Sequence, residues 1–152
     1  MTSAPDAANA MPFACRVCGG RSGTADAAGP GHWICTRCGW RLGDAFDSDL
    51  PRPVVAVVYY LRFGGRVKIG TSEQPRRRLA AIRHDEVLAF ERGGRALEQQ
   101  RHREFAAIRE GGEWFTLDEA LRAHIDALRA AASDPWLAYD RWLGEAFRNA
   151  SS

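Results

Sequence analysis

The chain has 152 residues, 45% hydrophobic and 26% charged, with a formal net charge of +2. That is enough for one ordinary domain, or a small domain plus a minidomain, and the composition excludes a wholly disordered chain. Its longest apolar run, Val54–Leu61, is too short to span a bilayer. The start "MTSAPDAANAMPF" lacks a basic segment followed by an apolar core, so the expectation is a cytoplasmic protein with no membrane association. The charge is unevenly spread. Residues 62–109 hold 12 basic and 6 acidic side chains, whereas residues 110–152 hold 4 basic and 8 acidic ones. The basic block suits either an anionic partner such as a nucleic acid or an Arg-rich solvated face.

In chain order, residues 1–10 read as a disordered start, rich in Ala, Ser, Pro and Asp. Residues 11–45 carry two cysteine pairs, "CRVC" (15–18) and "CTRC" (35–38), sixteen residues apart and each followed by glycine. A C-x-x-C turn aims two thiolates at one point, and two such turns supply the four soft ligands of a tetrahedral Zn²⁺. Cys15, Cys18, Cys35 and Cys38 are therefore expected to form a zinc ribbon holding a structural metal, since four sulfurs leave no open position for substrate. Iron in the same cage, or two disulfides, are the competing chemistries. His32 precedes the second pair and reads as a loop residue. Arg16, Arg37, Trp33 and Trp40 suit either contact with nucleic acid or packing of a module too small for a full core. Residues 46–53, "FDSDLPRP", read as a linker.

From Val54 the pattern predicts an α/β (α+β) domain over residues 54–132, with a small, three-stranded, mainly antiparallel sheet flanked by helices. Val54–Phe63 and Arg66–Thr71 are β-branched and aromatic runs joined by Gly64-Gly65, a hairpin signal. A helix follows, with Pro75 in its first turn. "EVLAFER" (86–92) predicts the third strand, residues 95–110 a second helix, and "GGEWFTL" a turn with a short extended piece. Residues 118–131 predict a helix capped by Asp118. The chain is then expected to end in a helix within residues 133–152, its stripe of Trp136, Tyr139, Leu143 and Phe147 packed on the main domain.

A two-residue Gly-Gly turn pairs Phe63 with Arg66, Leu61 with Lys68 and Tyr59 with Gly70. Alternation then places Tyr59, Leu61, Arg66 and Lys68 on one face and Tyr60 and Ile69 on the other. A phenol, an ammonium and a bare glycine converge at one end of one face. On the next helix Arg78 borders the buried side, with Arg76 and Arg77 toward solvent. Glu98 and His102 are four residues apart on a later helix, so they are neighbours there, either as an ordinary surface pair or as site residues.

These residues resemble the GIY-YIG nuclease superfamily. Its first motif looks like "VVY" (57–59) and its second like "KIG" (68–70). The family arginine falls on Arg78, and the metal-binding glutamate on Glu98 in "ALEQQRHREF". The likeness is to the phage-type and meiotically up-regulated branches, which share the lysine, the Glu-x-x-x-His helix and a "GEWF"-like stretch, here Gly112–Phe115. The first-motif glycine and the asparagine after the glutamate helix are missing. The resemblance implies endonucleolytic hydrolysis of DNA phosphodiesters, with RNA the alternative polymer. In that mechanism Glu98 holds Mg²⁺ or Mn²⁺, Arg78 neutralises the transition state, and Tyr59, Lys68 and His102 handle the attacking water and the phosphate. Arg62, Arg66, Arg76, Arg77 and Arg83 are the expected contacts to DNA backbone phosphates, with the ribbon helping to place the substrate. The alternatives are a non-catalytic nucleic-acid-binding module and a zinc-ribbon protein-interaction adaptor.

Overall fold

A computed structural model describes residues 10–27, 32–42 and 52–150. The expected disordered start lies outside them except for Ala10, which forms a β-bridge with Ser22, and most of the expected linker lies outside them too. The chain divides into two compact units, Met1–Pro53 with Asp140–Ser152, and Val54–Tyr139.

In the first unit the two cysteine turns are built alike. Each C-x-x-C closes through the amide of the glycine that follows it: Gly19 N–H donates to Cys15 O and Gly39 N–H to Cys35 O, both at 2.8 Å. Both glycines have φ of +79°, a conformation that glycine adopts without the steric cost a side chain brings. Three short strands, β1 (Gly23–Ala25), β2 (Trp33–Cys35) and β3 (Arg41–Leu42), pair antiparallel in that order. The small core holds Met11, Val17, three of the cysteines, Trp40 and Phe147.

The second unit is an antiparallel sheet with helices, as its alternation and periodicity predict, but the sheet has five strands in place of the expected three. β4 (Val57–Phe63) and β5 (Arg66–Ser72) form the hairpin in the predicted register: Phe63 faces Arg66, Leu61 faces Lys68 and Tyr59 faces Gly70. β6 (Glu86–Arg92) pairs with the other edge of β4. The two extra strands are β7 (Arg109–Gly111) and β8 (Trp114–Thr116), giving the order β6-β4-β5-β8-β7. β8 pairs with β5 over Arg66–Lys68. That long-range pairing turns the end of the expected second helix into strand. The helix α2 stops at Glu104, a 3₁₀ turn follows at Ala106–Ile108, and Arg109 enters β7.

α1 is a single helical stretch, Pro75–Ala80, with proline at its start and Leu79 buried. α2 (Arg95–Glu104) and α3 (Glu119–Ala131) cover the face that carries Val58, Tyr60, Val67 and Ile69, through Leu97, Phe105, Leu121 and Ile125. Asp118 caps α3 as expected, its carboxylate accepting from Leu121 N–H at 2.9 Å.

α4 runs from Pro135 to Ala150. Trp136 and Tyr139 pack edge-on against Phe90 in the second unit, at 4.8 and 6.4 Å between centroids. Leu143 and Phe147, expected on the main domain, instead pack in the first unit, where Phe147 meets Trp40 at 6.1 Å. Gly144 explains the closeness of that packing, because any Cβ there would collide with the Cys38 carbonyl. Asp140 is fully buried and paired with Arg37 of the second cysteine turn, and Arg148 donates to Cys38 O at 3.1 Å.

Candidate active site and metal centre

The four thiols gather at one point. Cys15 and Cys38 sulfurs are 3.6 Å apart, those of Cys18 and Cys35 are 3.7 Å apart, and all four lie within 4.8 Å of one another. A tetrahedron with Zn–S bonds of about 2.3 Å has edges of about 3.8 Å, so the cage is the right size for zinc. The turns aim amides at the sulfurs, as in Gly20 N–H to Cys18 Sγ at 3.3 Å. Such donors favour the thiolate that a metal requires. Among the thiols, hydrogen bonding to Cys18 lowers Cys15 to about 6, and the neighbouring sulfurs raise Cys18 and Cys38. These four residues can hold a zinc ion. His32 stands apart from the cluster and contributes its carbonyl to Asp26 N–H.

In the second unit the sheet alternation brings Tyr59 over Gly70. Tyr59 is 1% exposed, and a Cβ built on Gly70 would lie 2.5 Å from its Cζ and 2.7 Å from its Cε2. The bare glycine is what lets the phenol lie flat across β5. The Arg78 guanidinium, exposed on α1, is hydrogen-bonded to the Tyr59 hydroxyl. Burial pushes the Tyr59 phenol above its ordinary range. The Arg78 hydrogen bond opposes that shift, while the carboxylates of Glu113 and Glu98 add to it. Arg78 from α1 and, more weakly, Glu98 from α2 thus act on the Tyr59 phenol of β4. The phenol is held in its neutral form.

Glu98 stands half-buried on α2, a single carboxylate. One carboxylate of this kind could give a divalent cation a single oxygen ligand. His102, one turn on, donates from Nε2 to the Ile69 carbonyl at 2.8 Å, and its ring tilts against Phe115 at 5.1 Å. This bond occupies the edge of β5 just beyond the end of its pairing with β8. It also leaves Nδ1 as the nitrogen able to accept a proton.

Lys68 is on the Tyr59 face as predicted, but its ammonium turns toward β8. It lies 3.7 Å from Glu113 Oε2 and 5.7 Å from the Trp114 ring. Glu113 was not singled out by the sequence, although it sits in "GEWF". Its carboxylate acts on Tyr59, Arg78 and Lys68 together, and its carbonyl accepts from Ile69 N–H at 2.9 Å. Only the β5–β8 pairing places it there.

The expected phosphate-binding arginines are spread over several surroundings. Arg62 sits 3.4 Å from both Asp85 and Glu86, Arg66 is 3.7 Å from Glu110, and Arg76 stacks on Trp136 at 4.7 Å. Arg83 lies over Phe63 at 5.4 Å, and Arg77 is exposed on α1. A cavity of about 270 Å³ lies elsewhere, between Arg62, Leu88, Leu117, Arg122, Ile125 and Arg129, and contains none of Tyr59, Arg78 and Glu98.

Tyr60, on the opposite face, belongs to a polar network that sequence reasoning did not find. Its hydroxyl donates to Glu91 at 2.8 Å and lies 3.0 Å from His124 Nε2. Arg101, on the same helix as Glu98, grips Glu91 with two bonds of 3.1 and 2.5 Å. Burial would raise the Glu91 carboxyl, but the His124, Arg101 and Tyr60 hydrogen bonds outweigh it and bring it down to about 2. The network joins α2, β6 and α3 and so fixes the helix that carries Glu98 and His102.

Among the described residues no helix is long and apolar enough to cross a membrane. No curated protein and no solved structure matches the chain. The family model described as the T5orf172 domain matches residues 56–132. That stretch contains Tyr59, Lys68, Arg78, Glu98, His102 and Glu113 and is just over half of the chain, which therefore belongs to the T5orf172 domain family.

Proposed function

We propose that the domain is a GIY-YIG-type endonuclease that hydrolyses DNA phosphodiesters with Mg²⁺ or Mn²⁺, and that the zinc ribbon helps to hold the substrate. The observation that supports this reading is a buried phenol lying against the bare Gly70, with the Arg78 guanidinium beside its hydroxyl and the Glu98 carboxylate near enough to act on it electrostatically. In this reading Glu98 holds the divalent cation, which polarises the scissile phosphate when bound. Arg78 donates to the non-bridging oxygens as negative charge accumulates. Tyr59, kept neutral by burial, orients the attacking water through its hydroxyl. His102 takes the proton of that water at Nδ1, its Nε2 being committed to Ile69. Lys68 exchanges Glu113 for a substrate phosphate. Zinc on the four cysteines is structural, and the ribbon adds contacts away from the reacting phosphate.

The test is nicking of supercoiled plasmid by the full-length, zinc-loaded protein with and without Mg²⁺. Cleavage that requires Mg²⁺ and falls at least about 100-fold in both Glu98→Ala and Arg78→Ala supports the assignment. Salt-sensitive DNA binding with no metal-dependent nicking would instead make the domain a binding module. Absence of both would leave the ribbon as a protein-interaction adaptor.

A further inference from the structure

The sheet face that carries Tyr59 is covered unevenly. Tyr59 and Leu61 are essentially inaccessible, but two steps further along β4 Phe63 is half-exposed, and so is Trp114, the β8 partner of Lys68. The two rings meet at 6.3 Å and 64°, so they offer a base one ring face and one ring edge. Three cations surround them: Arg66 and Lys68 over Trp114 at 5.1 and 5.7 Å, and Arg83 over Phe63 at 5.4 Å. Two carboxylates oppose them, Glu110 and Glu113, each 3.7 Å from its cation. Among these five groups the cations outnumber the carboxylates by one, beside a half-exposed aromatic pair. Stacking rings flanked by basic groups are what a nucleotide strand binds, base against ring and phosphate against cation.

The spacing places this surface close to the reacting centre. Lys68 and Gly70 are two residues apart on one strand, about 7 Å at roughly 3.4 Å per residue. That is about two base steps at roughly 3.4 Å of rise per nucleotide. A base inside a duplex already has both faces stacked, so only an unpaired or displaced one can use the rings.

We propose that Phe63 and Trp114 seat one unpaired nucleobase about two nucleotides from the phosphate taken by Tyr59 and Arg78, making single-stranded or frayed DNA the substrate in preference to intact duplex. The proposal rests on the nuclease reading of that site and adds the class of substrate to it.

The experiment uses the full-length, zinc-loaded protein without added Mg²⁺ and labelled single strands of about 12 nucleotides, within the usual size of such sites. An abasic position is moved through the oligonucleotide one place at a time. Removing the base at one position, or at two adjacent ones, should weaken binding roughly 5- to 150-fold, the worth of one stacked base. The blunt duplex of the same sequence should bind more weakly than the single strand. Trp114→Leu, which keeps apolar cover over β5, should flatten the abasic scan, with a thermal melt confirming that the variant is folded. The scan on the unaltered protein stands whether or not that variant folds. A flat scan with tight binding, or a duplex that binds as well as the single strand, overturns the base seat and leaves nucleic-acid binding intact. Failure of any oligonucleotide to bind, together with failure to nick plasmid, overturns both.

Discussion

Replacing Gly70 with alanine isolates the contact on which the site is built. The backbone at Gly70 lies outside the left-handed region, so alanine is not strained there by conformation. The difficulty is steric: the new Cβ falls 2.5 Å from Tyr59 Cζ and 2.7 Å from Cε2, and the ring, 1% exposed, has nowhere to retreat. Overpacking by one methyl in a closed core costs about 1–3 kcal/mol. Gly65→Ala is the control, because a Cβ there meets nothing within 4 Å. It should be neutral or stabilise by up to about 1 kcal/mol through the unfolded chain. Urea melts of the two variants should differ by that 1–3 kcal/mol at an unchanged m-value. The second arm uses Tyr59→Leu, which lacks the atoms the methyl strikes. In that background Gly70→Ala should lose most of its cost, a coupling a double-mutant cycle reads directly. Nicking should fall in Gly70→Ala as the phenol is pushed from Arg78. Equal stability of Gly70→Ala and Gly65→Ala, or an identical cost in the Tyr59→Leu background, would refute the reasoning.

Further outcomes follow from the same geometry. Spectrophotometric titration of the tyrosines should show one group moving to still higher pH in Arg78→Ala, because the guanidinium is what holds the Tyr59 phenol down against burial. Glu91, whose folded carboxyl is depressed to about 2, contributes stability that is present above pH 4.5 and lost as pH falls from there toward 2. The span is about 3 kcal/mol, and Glu91→Gln should remove that slope from an acid titration of stability. Metal analysis should find one zinc per chain, falling near zero in Cys35→Ser. Gly144→Ala, which drives a methyl into the Cys38 carbonyl, should speed zinc loss to a chelator in a stopped-flow assay, with no such change in Gly65→Ala.

Much of the site was legible because it is local. The Gly64-Gly65 turn sets the register of β4 and β5, and register alone puts Tyr59 opposite Gly70 with Tyr60 turned away. The C-x-x-C spacing brings the thiols together in pairs for the same reason. Residues reached by long-range pairing were not legible. Nothing within "GEWF" says that it will add a strand to β5, so neither Glu113 nor the Phe63–Trp114 contact follows from the chain order. The Glu91–Arg101 bond crosses from β6 to α2, and each residue taken singly looks like an ordinary surface charge. The expected phosphate-binding arginines show the same limit. Their positive charge is evident from composition, but whether a guanidinium meets Asp85, Glu110 or the Trp136 ring depends on what packs beside it.

Sequence determined by itself the four-sulfur ligand set, the antiparallel hairpin and the residue types that confront one another across it, since each depends on spacings of a few residues that backbone geometry converts directly into position. Tertiary structure alone decided the five-strand sheet, the turn of Lys68 toward Glu113, and the packing of Leu143 and Phe147 with the cysteine turns. Those outcomes depend on contacts between segments far apart in the chain, where the winner is set by which surfaces exclude water together and by whether a glycine, as at position 144, leaves the room to do so.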